Sequence, residues 1–308
     1  MDALILDNIR KSFGSVRAVD GVSAQVPPGC VYGLLGPNGA GKTTTIRMIM
    51  NIIRPDSGRI QILDTASATE ARRRTGYMPE ERGLYPKMTL RGVLTYLGGI
   101  AGVRRDALER AIPQWLDRMG LKDWARRKVE ELSKGMQQKA QFIACVLHEP
   151  ELLILDEPFA GLDPINQDVL QDLILAMRQA GKTIILSTHN MAQAERLCDG
   201  LLLINRGRKV LDGPLQDIRA RYHTNVVSLE ADGATDFIAA LPMVERVGQA
   251  GKRLEITLNA GASSQDLLAA LVHRVHVRVF EEKSPTLHEI FVRLVGSDHG
   301  QDSQSRVA

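Results

Sequence analysis

The residues best suited to chemistry are Gly36-Pro37-Asn38-Gly39-Ala40-Gly41-Lys42-Thr43. Their spacing matches the phosphate-loop template G-x-x-x-x-G-K-[ST]. Glycines allow the backbone to curl so that successive N–H groups point at phosphate oxygens, and a helix N-terminus adds partial positive charge. Lys42 can reach β- and γ-phosphates, and the Thr43 hydroxyl can ligate Mg²⁺. A turn that merely joined a strand to a helix would have no need of a Lys-Thr pair at the helix start. The expectation is a nucleoside triphosphate site.

A second stretch, Leu152-Leu153-Ile154-Leu155-Asp156-Glu157-Pro158, is an apolar run ending in two acids. In a parallel sheet this places both carboxylates at the carboxyl edge. There Asp156 is suited to hold Mg²⁺ and Glu157 to take a proton from an attacking water. Two further stretches are weaker alone. Leu132-Ser133-Lys134-Gly135-Met136-Gln137-Gln138 precedes a helical pattern, and Ser133 reads as a helix cap. His189 follows the apolar run 183–188 directly and reads as a structural histidine.

Elements of alternating type must position these residues. Val31 to Leu35 is an apolar strand before the phosphate loop, and Thr44 to Met50 carries helical spacing. Residues 4–10 and 16–26 alternate apolar and polar, as antiparallel strands do. From about 85 to 145 helical spacing dominates, with Leu90, Val93, Leu94 and Leu97 and then Leu108, Ile112, Trp115 and Leu116. This reads as a helical insertion, with Pro113 early in its helix. The runs 152–155 and 183–187 lack alternation, as strands buried on both faces do, and the strand–helix order argues for parallel βαβ units. After about residue 220 the order becomes β-α-β-β-α-β, that of a ferredoxin-like split unit, with its first helix over 235–241. The 308 residues therefore divide into a core over 1–220, a small α+β domain over 222–296, and a polar tail over 297–308 expected to be disordered.

Composition narrows the function classes. Lysine and arginine number 39 against 36 acidic residues, a net charge of +3, too balanced for a nucleic-acid footprint. Cys30, Cys145 and Cys198 are scattered without metal-ligand spacing and fit buried thiols in a reducing compartment. No signal peptide and no apolar run of about eighteen residues is evident. Any membrane role would be supplied by a partner.

Taken together and in this order, the four stretches resemble the nucleotide-binding subunit of ATP-binding cassette transporters over roughly residues 1–220. The Leu-Ser-x-Gly-x-Gln-Gln stretch is the specific part. The resemblance implies an α/β P-loop ATPase core with an antiparallel β subdomain, and ATP and Mg²⁺ as cofactors. ATP would be held by Gly36 through Thr44, that is by Gly36, Pro37, Asn38, Gly39, Ala40, Gly41, Lys42, Thr43 and Thr44. In this family the Ser-x-Gly segment of one subunit caps the ATP of the other, so Ser133 and Gly135 would reach the γ-phosphate across a dimer. Asp163, in Gly161-Leu162-Asp163-Pro164, would belong to the loop that communicates between the two sites. Phe13 would stack on adenine. His189 would bond the γ-phosphate and position Glu157, making Glu157, His189 and Lys42 the catalytic set.

Two departures stand out. Lys134 and Met136 replace the usual glycine and glutamine of the Ser-x-Gly-x segment, and Glu80 replaces a glutamine that senses the metal. Thr43, Asp156 and Glu80 would contact Mg²⁺. The variant looks like an export subgroup that includes sodium-extrusion and drug-resistance ATPases. It implies a separate membrane-spanning permease, a second ATPase subunit (a homodimer), no nucleic acid, and a peripheral location on the cytoplasmic face of the cell membrane. The alternative is a soluble ATPase of the same family acting on nucleic acid or ribosomes; such members carry two cassettes or long coiled coils, and this chain has one cassette and no sustained heptads.

Overall fold

A computed structural model describes residues 2–65, 67–81, 83–222 and 224–302, the side chains of 68 and 296–302 excepted. The chain divides into two compact units, Met1–Leu215 and Gln216–Ala308. The division therefore falls at the start of a helix rather than after residue 220.

In the first unit the strands are β1 (Leu4–Phe13), β2 (Val16–Val26), β3 (Val31–Leu35), β4 (Ser57–Ile62), β5 (Thr75–Met78), β6 (Leu152–Asp156), β7 (Thr183–Thr188), β8 (Gly200–Asn205) and β9 (Arg208–Pro214). Two sheets result, one ordered β2-β1-β4 and antiparallel, the other β5-β6-β7-β3-β8-β9. The second is parallel except for β9, which returns from β8 as an antiparallel hairpin. Every residue of β3, β6 and β7 is buried. That explains why apolar residues run through them without alternation, and each fully buried Leu or Ile contributes roughly 1.5–3 kcal/mol.

The helices of this unit are α1 (Lys42–Ile49), α2 (Ala68–Arg73), α3 (Leu90–Ile100), α4 (Arg105–Arg118), α5 (Lys134–Val146), α6 (Pro164–Gln179) and α7 (Met191–Leu197), with α8 (Leu215–Arg221) at the boundary. The insertion comprises α3, α4 and α5, with Trp115 of α4 edge-on to Phe142 of α5 at 6.4 Å. Pro113 lies past the middle of α4, not early in it. A missing N–H is tolerated there at the expense of one helical bond.

The second unit has strands β10 (Val226–Asp232), β11 (Val244–Ala250), β12 (Arg253–Leu258) and β13 (His276–Lys283), with α9 (Ser264–Val272) and α10 (Leu287–Asp302). Sheet order β11-β12-β10-β13, antiparallel throughout, is the ferredoxin-like arrangement. Its first helix is only a 3₁₀ turn, Asp236–Ala240, because Leu241 precedes Pro242 and is driven into the extended region. Val227, Leu229, Ile256 and Leu258 of the sheet pack with Ile238, Leu267 and Leu271. The tail expected to be disordered is helical through Asp302, since α10 continues past Gly296; residues 303–308 lie outside those described.

Candidate functional site

The phosphate loop follows β3, whose neighbours are β7 on one side and β8 on the other. Two of its glycines are sterically required. A Cβ at Gly36 (φ 151°) would stand 2.2 Å from the Ile204 carbonyl oxygen, and one at Gly41 (φ 107°) 2.4 Å from that of Ala18. Lys42 opens α1 and is nearly buried, with Nζ donating to the carbonyls of Gly36 at 2.8 Å and Pro37 at 3.3 Å. The loop thus curls around its own lysine.

β6 and β7 pair in parallel with Asp156 opposite Ser187, which brings their carboxyl ends together. Ser187 donates its hydroxyl to Asp156 Oδ1 and accepts the Glu157 N–H at 3.0 Å. Glu157 sits at φ 48°, strained for a residue with a side chain. Its carboxylate oxygen Oε1 lies 3.7 Å from Lys42 Nζ and 3.0 Å from His189 Nδ1. Asp156 is fully buried, and its Oδ2 has no hydrogen-bond partner among the described residues. Burial pushes its carboxyl above the usual range, and the Ser187 and Thr43 hydroxyls oppose the rise.

Lys42 and Glu157 border a cleft of about 470 Å³, whereas the buried Asp156 lies behind it and is not part of its lining. Asn38 through Thr44 line it together with Glu80 and Glu157, and Val16, Arg17, Ala18, Arg206 and Gly207 close the far side. A larger cavity of about 900 Å³ beside Tyr32 and Asp212 contains none of the residues expected to bind nucleotide or metal. The smaller cleft is the candidate, because loop amides, an ammonium and a carboxylate converge there.

Not every expected residue borders that cleft. Gly36 and Pro37 support it from behind through Lys42. His189 reaches it only through Glu157. Phe13 does not line it; the ring is half exposed at the end of β1, with Lys11 Nζ 5.7 Å from its centroid. Ser133 is the exposed cap of α5, accepting the Met136 N–H at 3.2 Å, and Gly135 follows within the first turn. Asp163 caps α6, and the Asn166 N–H holds its carboxyl below the usual range. Neither helix start contributes to the cleft of its own chain.

The structure gives roles to residues for which the sequence suggests none. Gln138 of α5 donates to the Pro158 carbonyl at 3.1 Å, fastening the acidic turn after β6. Gln141, one turn on, donates to the carbonyls of Pro79 at 2.9 Å and Glu81 at 3.2 Å, either side of Glu80. One helix face therefore holds both acidic segments.

A P-loop with an acid-ended strand in the same parallel sheet defines a nucleoside triphosphatase. An "ABC transporter" family profile matches residues 19–160, and one described as "ATP-binding protein DrrA1-3-like, C-terminal domain" matches 213–295. The uncharacterized ABC transporter ATP-binding protein YhaQ of Bacillus subtilis is 38% identical over 294 residues, covering 96% of this chain and 99% of that one. The Nod factor export ATP-binding protein I of Paraburkholderia xenovorans is 35% identical over 303 residues, covering 96% and 98%. A solved "ATP binding subunit of ABC transporter" superposes with a TM-score of 0.67 at 33% identity, covering 71% of this chain and 93% of that one. The chain belongs to the ATP-binding subunits of ABC transporters, which bind ATP and hydrolyse it to drive transport.

Proposed function

We propose that this subunit powers an exporter, working as a dimer on a separate permease at the cytoplasmic face of the membrane, with Mg²⁺ beside ATP. The observation that carries the catalytic reading is the Glu157 carboxylate, held between His189 and Lys42 at the edge of the phosphate-loop cleft. In that position Glu157 accepts the proton of a water attacking the terminal phosphate. His189 orients the carboxylate through Nδ1. Lys42 releases its loop carbonyls and turns to the phosphates when they enter.

The residues present fit Mg²⁺. The buried Asp156 Oδ2 lacks a partner, and Thr43 and Glu80 supply further hard oxygen donors. Mg²⁺ is commonly held in this way, by one or two carboxylates together with substrate phosphates. When bound, Mg²⁺ offsets charge on the phosphate oxygens.

Export is supported by the Nod factor export relative. A separate permease is supported by the chain's membership in the ATP-binding subunits of ABC transporters; no helix among the described residues is long and apolar enough to cross a membrane. The dimer is supported by Ser133 and Gly135 standing exposed or half-buried outside their own chain's cleft. Gentle detergent extraction with this chain as bait tests the assignment. A polytopic membrane protein at near-equal stoichiometry is expected; ribosomes or nucleic acid in its place would overturn the transport role and leave the ATPase chemistry.

A further inference from the structure

The cleft has two sides, and sheet order assigns their chemistry. Glu80 and Glu157 follow β5 and β6, while the turn between β8 and β9 lies beyond β3 in the opposite direction. A carboxylate that activates water must stand at the terminal phosphate, so the nucleoside end of the ligand points toward the β8–β9 turn. This step rests on the catalytic reading above.

That turn is Asn205-Arg206-Gly207-Arg208, and Arg206 lines the cleft. The turn is anchored on both sides: Gly207 N–H donates to the Ala40 carbonyl of the phosphate loop at 2.9 Å, and its carbonyl accepts the Asp20 N–H at 2.8 Å. Arg206 is held at φ 48°, a conformation for which asparagine or glycine is the usual choice. Strain kept at a binding cleft points to a use for the side chain. The neighbouring arginines are already committed, since Arg17 and Arg208 both pair with Asp20. Arg206 makes no hydrogen bond or ion pair among the described residues. It is an uncompensated guanidinium on the wall of a cleft that takes a polyanion.

We infer that Arg206 is a nucleotide-binding residue, contacting the α-phosphate and ribose end of ATP with its guanidinium. Such a contact is made equally to ATP and ADP, and it sets affinity rather than the chemical step.

The test is equilibrium titration of the full chain with fluorescent ATP and ADP analogues, using wild type, Lys42→Ala, Arg206→Asn and Arg206→Lys. Asparagine tolerates the left-handed turn, so Arg206→Asn retains the fold, checked by an unchanged unfolding midpoint without nucleotide. One charge-assisted hydrogen bond predicts that Arg206→Asn weakens both nucleotides about tenfold and by the same factor, with Arg206→Lys in between. Unchanged affinity for both nucleotides, with Lys42→Ala still weakened, would overturn the inference alone. A loss confined to ATP would overturn the placement at the nucleoside end. No effect of Lys42→Ala either would count against the cleft itself.

Discussion

His189 Nδ1 lies 3.0 Å from Glu157 Oε1, although the two residues follow different strands. The contact is a consequence of register: Asp156 pairs with Ser187 across β6 and β7, so the residues just beyond both strand ends emerge side by side. Ser187 then ties the two acids together, donating to Asp156 and accepting from the Glu157 backbone.

Replacing Ser187 by alanine leaves a buried carboxylate oxygen and a backbone N–H without their partner. The expected loss is about 1–3 kcal/mol of unfolding free energy, read from urea denaturation. A loss below roughly 0.5 kcal/mol, the scale of an ordinary surface change, would mean that water or a neighbour takes over the hydroxyl's bonds.

His148 yields a pH prediction. Burial lowers its pKa from 6.5; Nε2 contacts the Thr75 carbonyl at 3.2 Å and Nδ1 has no partner among the described residues. The unfolded chain therefore binds the proton more readily than the folded one. The neutral ring's contribution is complete above pH 6.5 and is lost as pH falls through the folded value. Unfolding free energies between pH 7.5 and 5.5 are expected to fall more steeply for wild type than for His148→Gln. Parallel slopes would remove His148 from the acid sensitivity.

The proposed dimer, with a site shared between subunits, is open to a test by subunit mixing. Gly135 has an ordinary backbone conformation, and a Cβ there would meet Leu162 at 3.5 Å, a normal contact, so Gly135→Asp is expected to fold. Its carboxylate would repel the γ-phosphate of the facing subunit. Neither Lys42→Ala nor Gly135→Asp should hydrolyse ATP alone. An equal mixture should recover about a quarter of wild-type activity, because mixed dimers carry one intact site. Full activity of Gly135→Asp by itself would show that each chain completes its own site.

How much of this was legible in the sequence depended on whether a residue acts through its own type or through packing. Lys42, Thr43, Asp156 and Glu157 announce themselves, because phosphate and metal chemistry demands those side chains at fixed distances from a strand end. The ferredoxin-like order followed from hydrophobic runs alone. Gln138 and Gln141 were not legible, since a glutamine on a helix reads as solvent-facing until the buried carbonyls of Pro158, Pro79 and Glu81 are seen opposite it. Arg206 was hidden for a related reason: a turn residue enters the cleft only because β8 lies next to β3, a neighbour far away in sequence. Phe13 shows the reverse, a residue whose expected role the cleft lining does not include.

The measurement that bears most directly on the account is ATP turnover by Glu157→Gln, with nucleotide affinity determined in parallel. The substitution keeps the shape of the side chain and removes its ability to accept a proton. Turnover is expected to fall by about 10²–10⁴, the usual contribution of a general base, while ATP binding is retained. Near-normal turnover would contradict the assignment of Glu157 and with it the mechanism built on the His189 contact.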